Sequence, residues 1–285
     1  MRLTLPIHPP FTSPWREALF FTGLTIAVTW LFWFPGVFLP MGSTVGDFLL
    51  AIGSFAPLAV AVFLQVWLQK WTLTPMRWIQ TVTAQRIVLA ALVPIALFAP
   101  VILLRIFQDT LDLGNLFSDA RARWLTLVGL LLLAAAEEIG WRAYLLPRLK
   151  AAPLYVTNLG VGFAWFVWQI PLVLAGRYNT SENFGGFVLA MFLYALLVTP
   201  FLNRIALRAE YNPLLSGITR ALLTFVVAIY FLQGRGDPLS DTFGNLTIGW
   251  LVLLNLILFS QLWLGKKPPA EISELERVMP LEIGN

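Results

Sequence analysis

The sequence predicts an all-α fold, a polytopic membrane bundle of about eight transmembrane helices, and three observations carry that expectation. First, of 285 residues 58% are hydrophobic and only 12% charged, where a soluble domain carries about 25% charged residues. The mean hydropathy is accordingly +0.77. Second, apolar runs long enough to span a bilayer, about 20 residues each, recur along the whole chain. Third, many of the 12 Trp and 22 Phe fall near the ends of those runs, where interfacial rings anchor membrane spans.

Taken in order, residues 1–16 hold Pro6, Pro9, Pro10 and Pro14 and read as an extended lead-in. They lack the short apolar core and small-residue site of a cleavable signal peptide. A membrane domain over 17–265 follows, with apolar runs at roughly 17–39, 48–68, 86–107, 124–146, 156–175, 184–207, 213–232 and 245–264. Pro35, Pro57, Pro94, Pro100 and Pro200 lie in or near these runs, and membrane helices tolerate such kinks when neighbours satisfy the freed carbonyls. No internal repeat is visible. The acidic tail, 266–285, carries Glu271, Glu274, Glu276 and Glu282. Its Ile272, Leu275 and Val278 suit either a short surface helix or a frayed, solvated end. Asn179-Thr180-Ser181 matches a glycosylation sequon, a weak signal with meaning only in a secretory pathway.

The positive residues give an orientation. With the N-terminus inside, the inner segments hold Arg2, Arg16, Lys70, Arg77, Arg86, Arg142, Arg148, Lys150, Arg204, Arg208, Lys266, Lys267 and Arg277. The outer loops hold Arg121, Arg123, Arg177 and Arg235, while Arg105 and Arg220 lie within spans. Both termini are therefore expected in the cytoplasm, and the acidic loop with Asp109, Asp112 and Asp119 outside. The short loops suit a bacterial inner (plasma) membrane, and the expected partner is the lipid bilayer. The net charge is +4 with no basic run, which argues against nucleic acid. Cysteine is absent and the single histidine is His8. That excludes a disulfide, a thiol nucleophile, and a His-based metal site or Ser–His pair inside the membrane. No cofactor is expected.

The chemistry-bearing stretch is Glu137-Glu138-Ile139-Gly140-Trp141-Arg142, set after an uncharged run from Trp124 to Ala136. An ionisable group at membrane depth costs about 2.5–3.5 kcal/mol on insertion scales. On a helix Glu138 and Arg142 are four apart and share a face, so they can pair. Glu137 then points about 100° away.

This stretch, continued through Ala143-Tyr144-Leu145-Leu146-Pro147-Arg148-Leu149, resembles the first motif (EExxxR) of the CPBP family, the CAAX-protease and bacteriocin-processing proteins. The family's second motif has an aromatic residue and, four later, a histidine. Trp165-Phe166-Val167-Trp168-Gln169-Ile170-Pro171 fits that frame with Gln169 in the histidine place. The third motif follows a short basic loop, for which Phe201-Leu202-Asn203-Arg204 is the match. Ser216 to Thr224 then fits the third frame, with Arg220 for its histidine and Thr224 for its asparagine. The resemblance covers roughly 120–232. It implies an eight-helix intramembrane endopeptidase in which Glu137 activates water, and the second- and third-motif residues bind that water or the oxyanion. Some members cleave after a prenylated cysteine. Bacterial members act on peptides or serve as partners.

The substitutions bear on that chemistry. An arginine is always charged, so Arg220 facing Glu137 would hold the acid as an ion and take it out of proton transfer. Facing a substrate carbonyl instead, Arg220 and the Gln169 amide are both competent donors, and one lost oxyanion donor typically costs about 10²–10³ in rate. With Glu137 and Glu138 alone, a tight zinc site is not expected. Several readings stay open: a pseudoprotease that binds another membrane protein, an active metal-free glutamate-dependent protease acting on a peptide or membrane protein, a structural subunit of a larger membrane complex, and a transporter-like or lipid-handling role hinted at by Arg105 and Arg220. The bland alternatives are a helix-fixing Glu138–Arg142 pair, an interhelical Gln169 amide, and Trp141, Trp165 and Trp168 as packing and interfacial anchors. Arg220 is expected to pair with Glu137 or Glu138, the acids available at membrane depth.

Overall fold

The computed structural model describes residues 13–40, 43–68, 73–107, 120–174, 184–233 and 242–264, and among them every regular element is helical. The lead-in through residue 12, the acidic loop, the sequon and the acidic tail lie outside the described residues.

Helix α1 (Pro14–Phe38) starts at Ser13, whose hydroxyl accepts the Arg16 amide, with Pro14 in the first turn where its missing N–H costs nothing. The second apolar run is two helices, α2 (Thr44–Ser54) and α3 (Ala56–Leu68), bent by 43° at Phe55. Pro57 therefore starts a helix rather than kinking one. A short helix α4 (Pro75–Thr81) leads into α5 (Ala84–Phe107). Helix α6 (Ala120–Glu138) passes directly into a π-helical segment, Ile139–Leu145, and a single turn, Leu146–Arg148. Then come α7 (Leu154–Leu174), α8 (Phe184–Arg208), α9 (Pro213–Gln233), α10 (Thr242–Ile257) and α11 (Phe259–Leu262).

All eight apolar runs fall on helices. Among the described residues four helices are long and apolar enough to cross a bilayer, namely α1, residues 84–104 of α5, α7 and α8, or five if the bent α2–α3 pair counts as one span. The chain is thus a multi-pass helical membrane protein. One expectation is corrected: Phe201–Arg204 is not a loop but part of α8, which continues to Arg208. The turn follows it, where Glu210 and Tyr211 both take left-handed backbone at φ 56° and 60°.

Lipid is as apolar as a side-chain core, so membrane helices close on small residues and on hydrogen bonds. Gly217 of α9 packs on the backbone of α6, where an added Cβ would meet the Ala135 Cα at 3.2 Å. The Asn158 amide of α7 donates to the Leu262 carbonyl at 2.7 Å, and Asn203 of α8 donates to the Asn158 carbonyl oxygen at 2.9 Å. Both asparagines are fully buried, so this ladder ties α7, α8 and α11. At the other side, Glu17 of α1 accepts from the Tyr144 hydroxyl at 2.7 Å and from Arg148 Nε at 2.5 Å. The main core cluster gathers Phe21, Trp33, Leu64, Trp141, Tyr144, Trp165 and Trp168 from α1, α3, the π-segment and α7.

The π-segment meets α3 at Gly140, where an added Cβ would overlap the Pro57 carbonyl oxygen at 2.6 Å. Backbone cannot yield as a side chain can. Gly140→Ala is therefore expected to lower stability in detergent micelles by about 1–3 kcal/mol. Gly129→Ala in α6, where nothing lies within 4 Å, should leave stability unchanged or raise it by about 0.5–1 kcal/mol. Thermal unfolding of the two variants side by side checks this.

Candidate functional site

The site is built where α6 changes to the wider π turn. Such segments interrupt α-helices most often at functional positions. Here the residues from Gly140 to Leu145 are all buried. Arg142 Nη1 donates to Glu138 Oε1 at 2.8 Å, and neither side chain has any exposed surface. Two charges out of water survive only through such pairing. The expected i,i+4 pair is thus present. Among the described residues the Arg142 Nε and Nη2 atoms find no hydrogen-bond partner.

Glu137, on the adjacent face, reaches a different cation. Its Oε2 lies 3.5 Å from Arg220 Nη2 of α9, so the pairing expected from the sequence is found. Arg220 is held from three sides. It donates through Nη1 to Thr224 Oγ1 at 2.6 Å, and its guanidinium lies 4.6 Å from the centre of the Trp165 ring. Thr224 Oγ1 in turn donates to the Arg220 carbonyl at 3.0 Å, the usual back-bond of a helical threonine.

Glu137, Gln169, Arg220 and Thr224 line one cavity of ≈ 150 Å³. Glu138 and Arg142 do not; they sit behind it as a closed pair. The rest of the wall is Trp33, Ser54, Leu130, Leu133, Ala134, Trp168 and Leu172. The two indoles are fixed: Trp33 Nε1 donates to the Leu50 carbonyl at 2.8 Å and Trp168 Nε1 to Thr29 Oγ1 at 2.7 Å. Their ring centres are 4.7 Å apart. Trp141, Trp165 and Trp168 are all within 2% of full burial, so they pack the core and are not interfacial anchors.

Sequence reasoning missed Trp33 and Ser54, which bring α1 and the α2–α3 break into the site. The usable signal was Ser54 just before Phe55-Ala56-Pro57, where a serine and a proline bracket a break in an apolar run. It also missed Glu17, a lone acid at the start of the first span. Among the described residues no group of three or more His, Cys, Asp or Glu is placed to hold a metal. The arrangement offers one carboxylate, one amide, one guanidinium and two hydroxyls, those of Ser54 and Thr224, in a small cavity whose remaining lining is apolar and aromatic.

No protein-family profile matches the chain. Over 174 residues the chain is 25% identical to CAAX prenyl protease 2 of Methanococcus maripaludis, a match that takes in 56% of this chain. The chain spans 64% of the length of that curated relative. The similarity is distant and agrees with the resemblance carried by the motif around Glu137.

The closed pair behind the cavity has a measurable signature. Glu138→Ala or Arg142→Ala alone strands a buried charge and is expected to cost about 3–5 kcal/mol. The double replacement Glu138→Leu with Arg142→Met leaves no charge to strand and should recover most of that loss. Unfolding midpoints of the three variants in one detergent decide it.

Proposed function

We propose that this protein is a CPBP-like membrane protein that no longer cleaves peptides and uses the old active-site cavity to bind a membrane protein or peptide. The observation that carries this reading is the Glu137–Arg220 contact at 3.5 Å. A general base must take up a proton and give it back. Here that carboxylate is engaged by a permanent cation, itself anchored by Thr224 and Trp165, which can neither accept a proton nor pass one on. Histidine at the two motif positions would leave Glu137 free; Gln169 and Arg220 do not supply a neutral imidazole at either. Glu138, Arg142 and Thr224 complete the assignment, the first two as a fixing ion pair and Thr224 as the residue that orients Arg220.

The reading includes the full topology: eight spans, with α6 continued through the π-segment, α9 and α10 crossing with the rest. Both termini would then lie in the cytoplasm of an inner (plasma) membrane. The lead-in 1–16, the membrane domain 17–265 with its CPBP-like core over 120–232, and the tail 266–285 are the corresponding parts.

A second reading has its own support. Gln169 and Arg220 line the same cavity as Glu137, so a peptide carbonyl placed there would meet two donors and one carboxylate. That is the arrangement of a metal-free, glutamate-dependent protease.

The experiment uses the purified chain in lipid with a set of transmembrane peptides. The protein itself should release no product, and Glu137→Gln should retain its biological function in a deletion strain. Gln169→His combined with Arg220→His should gain cleavage that Glu137→Ala then removes. Cleavage by the unmodified chain that disappears in Glu137→Ala would instead establish the protease.

A further inference from the structure

Arg220 is the one cation among the side chains that line the cavity, and among the described residues its Nε is buried without an acceptor. Buried polar atoms of native proteins are as a rule paired, so a ligand that brings an acceptor would find donor capacity left on Arg220. Its guanidinium carries five N–H groups. One is spent on Thr224, and the Glu137 contact at 3.5 Å is longer than a charge-assisted N–H···O⁻ bond of about 2.7–2.9 Å. A carboxylate brought in by a ligand would thus displace no formed hydrogen bond. The same cavity is lined by Trp33, Trp168, Leu130, Leu133 and Leu172, which offer apolar surface and no charge. The volume, ≈ 150 Å³, is that of a cavity known to take one benzene-sized group.

We propose that the cavity binds a monocarboxylate whose anionic end takes Arg220 in place of Glu137 and whose small apolar group fills the space between Trp33, Trp168 and Leu172. The free C-terminus of a peptide ending in an apolar residue and the head of an acyl chain share this chemistry. Glu137 is then an internal competitor for the guanidinium, which gives the inference its sharpest consequence: removing the acid strengthens binding. The inference rests on the reading of the cavity as a ligand site, and it does not depend on whether the chain cleaves peptides.

The test uses the full chain in lipid nanodiscs, with benzoate as the probe and benzamide as its neutral counterpart, read by thermal unfolding and by tryptophan fluorescence. Benzoate should raise the unfolding midpoint of the unmodified protein and benzamide should not. Glu137→Gln should bind benzoate at least tenfold more tightly, and Arg220→Gln should lose the effect. Ala134→Leu fills the cavity while leaving Arg220 in place, and should lose it as well; this variant serves if Arg220→Gln does not fold. Equal shifts with benzoate and benzamide, no shift with either, benzoate binding retained in Arg220→Gln or Ala134→Leu, or no tightening in Glu137→Gln would each overturn the inference. N-acetylleucine and octanoate, each against its own amide, then separate the sources. Tighter binding of the first assigns a peptide C-terminus and of the second an acyl chain; neither acid exceeding its amide overturns the proposal. Peptide cleavage gained by the histidine variants with no benzoate binding in the unmodified chain would sink this inference alone.

Discussion

Four charged side chains inside the helix bundle must cancel one another locally, and the rest of the site follows from that requirement. Glu138 and Arg142 are wholly buried, and Glu137 and Arg220 are largely so. An unpaired charge there would cost several kcal/mol. The chain meets the requirement with two different contacts. Glu138 and Arg142 form a short, wholly enclosed bond at 2.8 Å. Glu137 and Arg220 form a looser one at 3.5 Å, on the edge of a cavity. The enclosed pair is on one stretch of helix, so it fixes the π-segment. The looser pair joins α6 to α9, so it fixes how those helices meet.

The surrounding structure serves both contacts. Gly140 lets the π-segment lie flat on Pro57 of α3, and Gly217 lets α9 approach Ala135 of α6. Glu17 reaches across from α1 to Tyr144 and Arg148, which locks the far end of the same segment. Trp165 and Thr224 hold the Arg220 guanidinium against the cavity wall. What a histidine could do by cycling between neutral and charged forms, this arginine cannot. The group that faces the acid across this cavity is therefore a fixed cation and not a proton carrier.

Much of this was legible in the sequence, and for definite reasons. A charge in an apolar run is conspicuous, and helix geometry fixes which residues four apart can meet, so Glu138 with Arg142 could be read directly. Arg220 could be assigned to the acid pair because so few acids stand at membrane depth. The choice of Glu137 over Glu138 needed the structure. Burial was harder to read. In a soluble helix an apolar stripe marks the core, but a membrane helix is apolar all round, so nothing in α1 distinguished Trp33 from its lipid-facing neighbours. Of the two roles expected for Trp141, Trp165 and Trp168, packing is found and interfacial anchoring is not, since an aromatic ring suits the interface and the core equally. The loop expected at Phe201–Arg204 came from the resemblance, which sets a short basic loop before the third motif; Asn203 in fact stays helical and buried, bonded to Asn158.

The account stands on the contact between Arg220 and Glu137, and a double-mutant cycle in stability measures it most directly. Glu137→Gln, Arg220→Gln and the double variant are unfolded in the same detergent as the unmodified chain. Paired charges in contact give coupling energies of about 0.5–3 kcal/mol, and a value above about 1 kcal/mol in favour of the pair is predicted here. Effects that add within about 0.3–0.5 kcal/mol would mean that the two groups act independently, and the account would be wrong.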